Sequence, residues 1–298
     1  MMAEPQIDWQ GASVVANSQL ARGTMQVSIE AAELAGYQPG HILGFEFAHP
    51  ESGEPLKGPY TVSRSNGTRF DIIYRVIPDG RKTPFMEHLE PGAAVRIGGK
   101  FGVPVADGIA NDVERVVGIA TGAGIGPLLG FAEDALAAGS KQQIELFCGF
   151  RDLADVCCRA ECDALEAQHP NFAYTPVISR PMACTAVAMA GASSGSSLGL
   201  ADLSAEVAAE VPTEAAAAKG FVQGRLSRVL PGLLGKLRPT THFHLVGNGA
   251  LVADMLQGLL AAGVAESRVT TEKYFNGKAE ADEDVVAFLA SALQVTDV

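Results

Sequence analysis

Apolar residues follow two different periods along this chain. From residue 12 to about residue 104 they fall in short alternating runs, at 24–31, 42–47, 60–63, 70–76 and 94–97, punctuated by glycine and proline. Half-buried strands of that length and spacing predict a small antiparallel barrel or sandwich. One helical turn reads in this half, at 83–89, directly after the turn signal Pro78-Asp79-Gly80. From residue 113 the pattern changes. Strand-like runs at 116–120, 144–148, 173–178 and 242–246 alternate with helix-spaced runs at 128–138, 155–168 and 251–262. That alternation predicts a parallel sheet with helices on both faces. The polar stretch 107–112 separates the two patterns, so the chain reads as a β-barrel domain over 1–109 followed by an α/β domain over 110–298.

Two segments fit neither pattern. Residues 182–219 are rich in alanine and serine and read as a flexible insertion, with 200–218 helix-prone through its alanines. After residue 275 the chain continues as an extension in which 282–293 reads as an amphipathic helix.

The α/β half opens on the stretch that carries most chemistry. A β-branched run from Val116 to Ala120 crosses Thr121, Gly122, Gly124 and Gly126 and enters an Ala- and Leu-rich helix, with Pro127 where a first-turn proline fits. Strand, glycine turn and helix start together expose backbone N–H groups and the positive end of the helix dipole, which suits a nucleotide pyrophosphate. The glycines are not spaced as G-x-G-x-x-G, and a plain structural turn is the competing reading.

Charge and cysteine content narrow the classes. A net charge of −12 over 298 residues argues against a nucleic-acid partner. Between Lys57 and Lys100, however, eight basic residues face four acids, a local +4 that suits an anionic cofactor or partner as well as ordinary solvated faces. No apolar window reaches membrane-span length and the first twenty residues lack a signal-peptide core, so a cytoplasmic location is expected. The five cysteines show no C-x-x-C spacing, and neither a disulfide framework, a zinc site nor an iron–sulfur cluster is expected; Cys158 and Cys162 share a helix face as small hydrophobes.

A barrel followed by a nucleotide domain resembles the layout of the ferredoxin–NADP reductase family, and its bacterial branch most. Pro59-Tyr60-Thr61-Val62-Ser63 resembles the R-x-Y-[ST] strand whose tyrosine packs on the flavin, and Gly80-Arg81-Lys82-Thr83 resembles the turn beneath the flavin pyrophosphate. Tyr74, Arg75 and Val76 complete the flavin contacts that the resemblance implies. Thr121, Gly122 and Gly124 are similar to the turn facing the nicotinamide nucleotide, as is Gly247-Asn248 to its partner turn. Ser179-Arg180 and Gly224-Arg225 resemble the groups that hold a 2′-phosphate, and no acid stands at the end of the 144–148 strand, in Gly149-Phe150-Arg151, to prefer the ribose hydroxyls. Thr271-Glu272-Lys273-Tyr274-Phe275 resembles the closing motif.

The family likeness implies an enzyme binding FAD and NADPH that passes hydride to the flavin and then single electrons to a ferredoxin or flavodoxin-like carrier. It assigns Tyr60, Glu272, Tyr274 and Phe275 to the reacting centre. Gly58 stands where the family has an arginine on a flavin phosphate, Val246 where it has a cysteine near the nicotinamide, and Gly249 where it has a proline. Lys57 and Arg64 are the candidates to replace the missing arginine. A flavin or oxygenase reductase, and a non-catalytic binding or sensing module on the same fold, are the alternatives.

Overall fold

The computed structural model describes residues 7–32, 36–180, 220–275 and 277–296. The predicted insertion at 182–219, with its helix-prone part and Cys184, lies outside the described residues.

The first half is an antiparallel sheet of seven strands. They are β1 (Trp9–Ala21), β2 (Thr24–Glu30), β3 (Ile42–Ala48), β4 (Pro55–Thr61), β5 (Arg64–Asn66), β6 (Arg69–Arg75) and β7 (Ala94–Phe101), in the order β4-β3-β7-β1-β2-β6-β5. Alternation places Val27, Ile29, Leu43, Phe45, Phe70, Ile72 and Ile97 inside, where the sheet curls on itself around Met86. Met86 belongs to the one-turn helix α1 (Thr83–Met86). The side-chain amide of Asn17 on β1 donates to the carbonyls of Met86 (3.0 Å), Glu87 (3.2 Å) and Leu89 (3.1 Å), satisfying a helix end that four residues cannot satisfy alone.

The second half is a six-stranded parallel sheet. Its strands are β8 (Arg115–Thr121), β9 (Gln143–Phe150), β10 (Phe172–Ile178), β11 (Val222–Gln223), β12 (Thr241–Asn248) and β13 (Val269–Phe275), in the order β11-β10-β9-β8-β12-β13. Helices α2 (Ile125–Ala137) and α3 (Arg159–Gln168) cover one face, and α4 (Leu226–Leu234), α5 (Gly249–Ala261) and α6 (Glu283–Ala292) the other. The C-terminal extension therefore has a fixed place: α6 seats Leu289 against Gly258 of α5, on the sheet face away from the barrel. It covers no aromatic of the closing motif. Among the described residues no helix is long and apolar enough to cross a membrane.

The two halves meet through shape and charge. On α2, Gly126 and Gly130 lie one turn apart, and a Cβ at either would collide with Ser63 at the end of the Tyr60 strand. Arg64 donates to both carboxylate oxygens of Glu133 on α2, at 2.6 and 3.0 Å. Arg22, in the β1–β2 turn, pairs with Asp152 and with Asp155 (2.9 Å) beyond β9, and Arg75 approaches Asp155 at 3.6 Å. These pairs correct the picture of an open basic mouth. Arg64 and Arg75 are spent on the domain junction, and Arg96 is paired with Glu46 at 2.7 Å.

Candidate active site

Strand order reverses between β8 and β12, because the chain builds outward from β8 to β11 and then returns to β8's other side. In such sheets ligands bind outside the carboxyl ends of the strands at that reversal. Two turns flank it. Gly122 has φ +53°, and a Cβ on Gly124 would lie 2.9 Å from the carbonyl oxygen of Val246. Gly247 has φ +124°, and a Cβ there would run into the Thr121 hydroxyl, which itself accepts the Asn248 N–H at 3.0 Å. Only glycine permits this approach. The Asn248 side chain accepts from Ala250 N and caps α5, whereas no side chain caps the Gly122–Gly124 turn or α2. The uncapped turn is therefore the one left with bare donors for an anion.

Strand β13 brings the barrel side of the site together. Thr61, at the end of β4, donates its hydroxyl to Glu272, more than two hundred positions later. The Glu272 carboxyl is mostly buried, which pushes its pKa up to about 7 despite the Thr61 hydroxyl. A bulge follows: Gly247 pairs with Lys273 but Asn248 with Phe275, leaving Tyr274 as the extra residue. The bulge turns Tyr274 inward beside Thr61 and Glu272, and burial raises its phenol well above the usual range. Phe275 is left 46% exposed at the sheet edge. Tyr274 is thus the aromatic that the fold brings to the Thr61–Glu272 pair, and Phe275 is not.

Tyr60 stands beside them with its ring edge-on to Phe45 (5.8 Å) and Tyr74 (6.5 Å), and burial raises its pKa to about 12. Its neighbours in the motif have other work. Val62 and Ser63 are fully buried, and the Ser63 hydroxyl accepts the Ile73 N–H at 3.0 Å. Tyr74 lies in the barrel core and donates to Asn17 at 3.2 Å, while Arg75 is held by Arg22 O and Asp155. Any contact of Val62, Ser63 or Tyr74 with a ligand is therefore a backbone contact. The Thr83 hydroxyl likewise accepts the Ile77 N–H at 2.9 Å.

The gap left by the missing arginine is filled by a residue expected for another reason. The Lys82 ammonium lies over Gly58, in the space where a Cβ would project. A cation thus reaches the Tyr60 strand from the neighbouring turn, in space that glycine at 58 leaves open. Arg64, bound to Glu133, is not the replacement.

At the far end, Ser179 and Arg180 follow β10 and Arg225 follows β11 and precedes α4, so the three residues lie beyond the ends of neighbouring strands. One correction is needed. An acid does stand near the end of β9: Asp152 accepts from Arg180 at 3.0 Å and also from Arg22. Asp152 directly follows the Gly149-Phe150-Arg151 segment that reads as acid-free, and it meets Arg180 because the loop turns back towards β10.

Donors bare of caps, a half-buried tyrosine ring and a lysine over glycine fit a flat, phosphate-bearing cofactor held between two domains. This is a two-domain architecture, a barrel followed by a parallel-sheet domain, suited to holding a nucleotide. Residues 119–187 match the family model of the oxidoreductase NAD-binding domain. A crystal structure of a ferredoxin NADP+ reductase from Neisseria gonorrhoeae superposes with a TM-score of 0.69, at 17% identity, over 91% of this chain and 100% of that one. The aromatic O-demethylase reductase subunit of Amycolatopsis is 27% identical over 56% of this chain and 51% of its own length. Ferredoxin–NADP reductase B of Sorangium cellulosum is 27% identical over 44% of this chain and 54% of its own. The chain shares the fold of a ferredoxin NADP+ reductase and carries an oxidoreductase NAD-binding domain match over residues 119–187, and it spans about half the length of these two curated relatives.

Proposed function

We propose that this protein is an FAD-containing reductase that oxidises NADPH and hands electrons singly to a ferredoxin or flavodoxin-like carrier. The observation that carries the reading is the Thr61–Glu272 contact, which joins the Tyr60 strand of the barrel to the last strand of the nucleotide domain beside the uncapped glycine turn. The flavin, when bound, takes up a hydride and releases its electrons one at a time. The chain's own residues supply the rest. Tyr60 offers a ring face for stacking, Lys82 and the start of α1 offer charge and donors to the pyrophosphate, and Thr61 with Glu272 offers a hydroxyl and a protonatable carboxyl. The names of the two relatives, a reductase subunit and a ferredoxin–NADP reductase, support a protein as acceptor. A second reading, the reductase component of an oxygenase, draws on the first of them.

The test is the visible spectrum of the purified protein before and after NADPH under anaerobic conditions. A bound flavin that bleaches supports the reading; a colourless protein that takes up no FAD overturns it and favours a binding module. Tyr60→Ala should weaken FAD retention by about two- to tenfold, since aromatic stacking contributes about 0.5–1.5 kcal/mol beyond burial. Equilibrium dialysis measures that loss.

Nucleotide preference rests on Arg180 and Arg225. Each charge-assisted contact to a 2′-phosphate is worth about 1.5–3 kcal/mol, so Arg225→Ala should lower kcat/KM for NADPH about tenfold or more and leave NADH nearly unchanged. Arg180→Ala should do the same and also leave the Asp152 carboxylate facing the phosphate. Steady-state kinetics with both nucleotides decides it. Equal losses for NADH and NADPH would mean that the arginines hold structure only.

A further inference from the structure

Three separate stretches of chain meet beyond the carboxyl ends of β9 and β10. Backbone hydrogen bonds fix how they meet. The Arg22 N–H, in the β1–β2 turn, donates to Ala154 O at 2.9 Å, and the Arg180 N–H, after β10, to Arg151 O at 3.0 Å. Between them, residues 152–155 are held by a capping box in which the side chains of Asp152 and Asp155 each accept the other's backbone N–H.

This lacing sets one carboxylate oxygen between two guanidiniums. Asp152 Oδ2 accepts from Arg180 Nη1 at 3.0 Å and also from Arg22 Nη2. The second acid, Asp155, is buried; it accepts Arg22 Nε at 2.9 Å and lies 3.6 Å from Arg75 Nη1. Three guanidinium charges thus stand against two carboxylates, with one positive charge in excess. The Arg180 side chain is 59% exposed and can turn to a ligand, whereas that of Asp152 is 28% exposed and tied into its own turn. A donor fork serves either the carboxylate or a phosphate, and a phosphate beside an uncompensated carboxylate is repelled.

We propose that Asp152 and Arg22 set nucleotide selectivity as an opposed pair: Asp152 withholds Arg180 from a 2′-phosphate, and Arg22, reaching over from the barrel, occupies Asp152 so that Arg180 can be released. The inference rests on the reading that Arg180 meets the 2′-phosphate of NADPH. Arg22 and Asp152 are positioning residues, acting through Arg180. When the phosphate arrives, Arg180 turns to it and Arg22 keeps its bonds to both acids. Without Arg22 the excess charge is gone, since Arg75 and Arg180 only balance the two carboxylates, and Arg180 is the one guanidinium left on Asp152 among the described residues. A nucleotide with a 2′-hydroxyl makes no such demand on Arg180. The domain junction and the nucleotide reader therefore share one carboxylate.

Calorimetric titration of the full chain with adenosine 2′,5′-bisphosphate and with 5′-AMP isolates the 2′-phosphate and needs neither flavin nor turnover. Asp152→Asn removes the charge and keeps the cap, since asparagine caps as well as aspartate. It should tighten the bisphosphate about fivefold, the upper size of an exposed charge pair, and leave AMP unchanged. Arg22→Gln should weaken the bisphosphate about threefold and leave AMP unchanged, and it should have no effect once residue 152 is asparagine. A purely structural role for Arg22 would weaken both ligands on either background. Unchanged bisphosphate affinity in Asp152→Asn, or an Arg22→Gln loss that persists in the double variant, overturns the proposal. A wild type that binds the bisphosphate no more tightly than AMP overturns the 2′-phosphate reading, and the proposal with it. Should Arg22→Gln not fold, Asp152→Asn decides alone: the gain supports the opposed pair and its absence overturns it.

Discussion

Glu272→Gln is expected to stabilise the cofactor-free protein at pH 8 while lowering turnover about a hundredfold. The carboxyl titrates near 7 in the folded chain, against 4.5 for the free group, because burial disfavours its charge. Between those values the folded state holds the proton and the unfolded state does not. Stability therefore falls as pH rises through the window and is lowest above about 7. At 1.36 kcal/mol per unit the penalty on the wild type amounts to about 3 kcal/mol. Glutamine resembles the protonated acid, keeps an acceptor for the Thr61 hydroxyl and escapes the penalty. Urea unfolding of both proteins should thus coincide near pH 4.5 and separate by about 3 kcal/mol at pH 8. Coincident curves at both values would show that the carboxyl is not held in a dry site. On the proposed function, the turnover loss follows from removing the protonatable carboxyl beside Thr61, since a positioned proton-transferring group contributes about 10²–10⁴.

Gly130→Ala should do the opposite of what helix propensity says. An alanine inside a helix is favoured over glycine by about 1 kcal/mol. At Gly130, however, the new methyl would fall inside the van der Waals radius of the Ser63 carbonyl oxygen, a backbone atom of a fully buried residue. Backbone cannot rotate aside, so α2 must move off the barrel and strain the Arg64–Glu133 pair. The expected loss is about 3 kcal/mol, the upper part of the overpacking range, together with weaker retention of any ligand held between the domains. Gly232 on α4 supplies the control, since a Cβ there meets nothing and Gly232→Ala should gain about 1 kcal/mol. Thermal and urea denaturation of the two variants give opposite signs if the junction is as tight as described, and the same sign if it is not.

Much of the architecture lies in local pattern. Alternation in β2, β3 and β6, the β-branched run of β8, the glycine turn after it and the amphipathic α6 are each legible from nearest neighbours, because burial on one face imposes a short period. Strand β1 escapes that reading: of its thirteen residues only Val14 is buried, so no alternation marks it. Helix α4 escapes too, with Pro231 and Gly232 inside its nine residues. The site is legible in part. Tyr60, Thr61, Glu272 and the two glycine turns show as motifs because turns and caps demand particular residues locally. Which aromatic faces Thr61 depends on a bulge opposite Asn248, and a bulge has no signature in Glu272-Lys273-Tyr274-Phe275. That Lys82 occupies the space above Gly58, that Arg64 and Arg75 neutralise acids of the other domain, that Asp152 holds Arg180, and that one threonine bridges two histidines are all pairings across the fold. Residue type states what each group can bond, but only the packing of two domains decides which partner comes within reach.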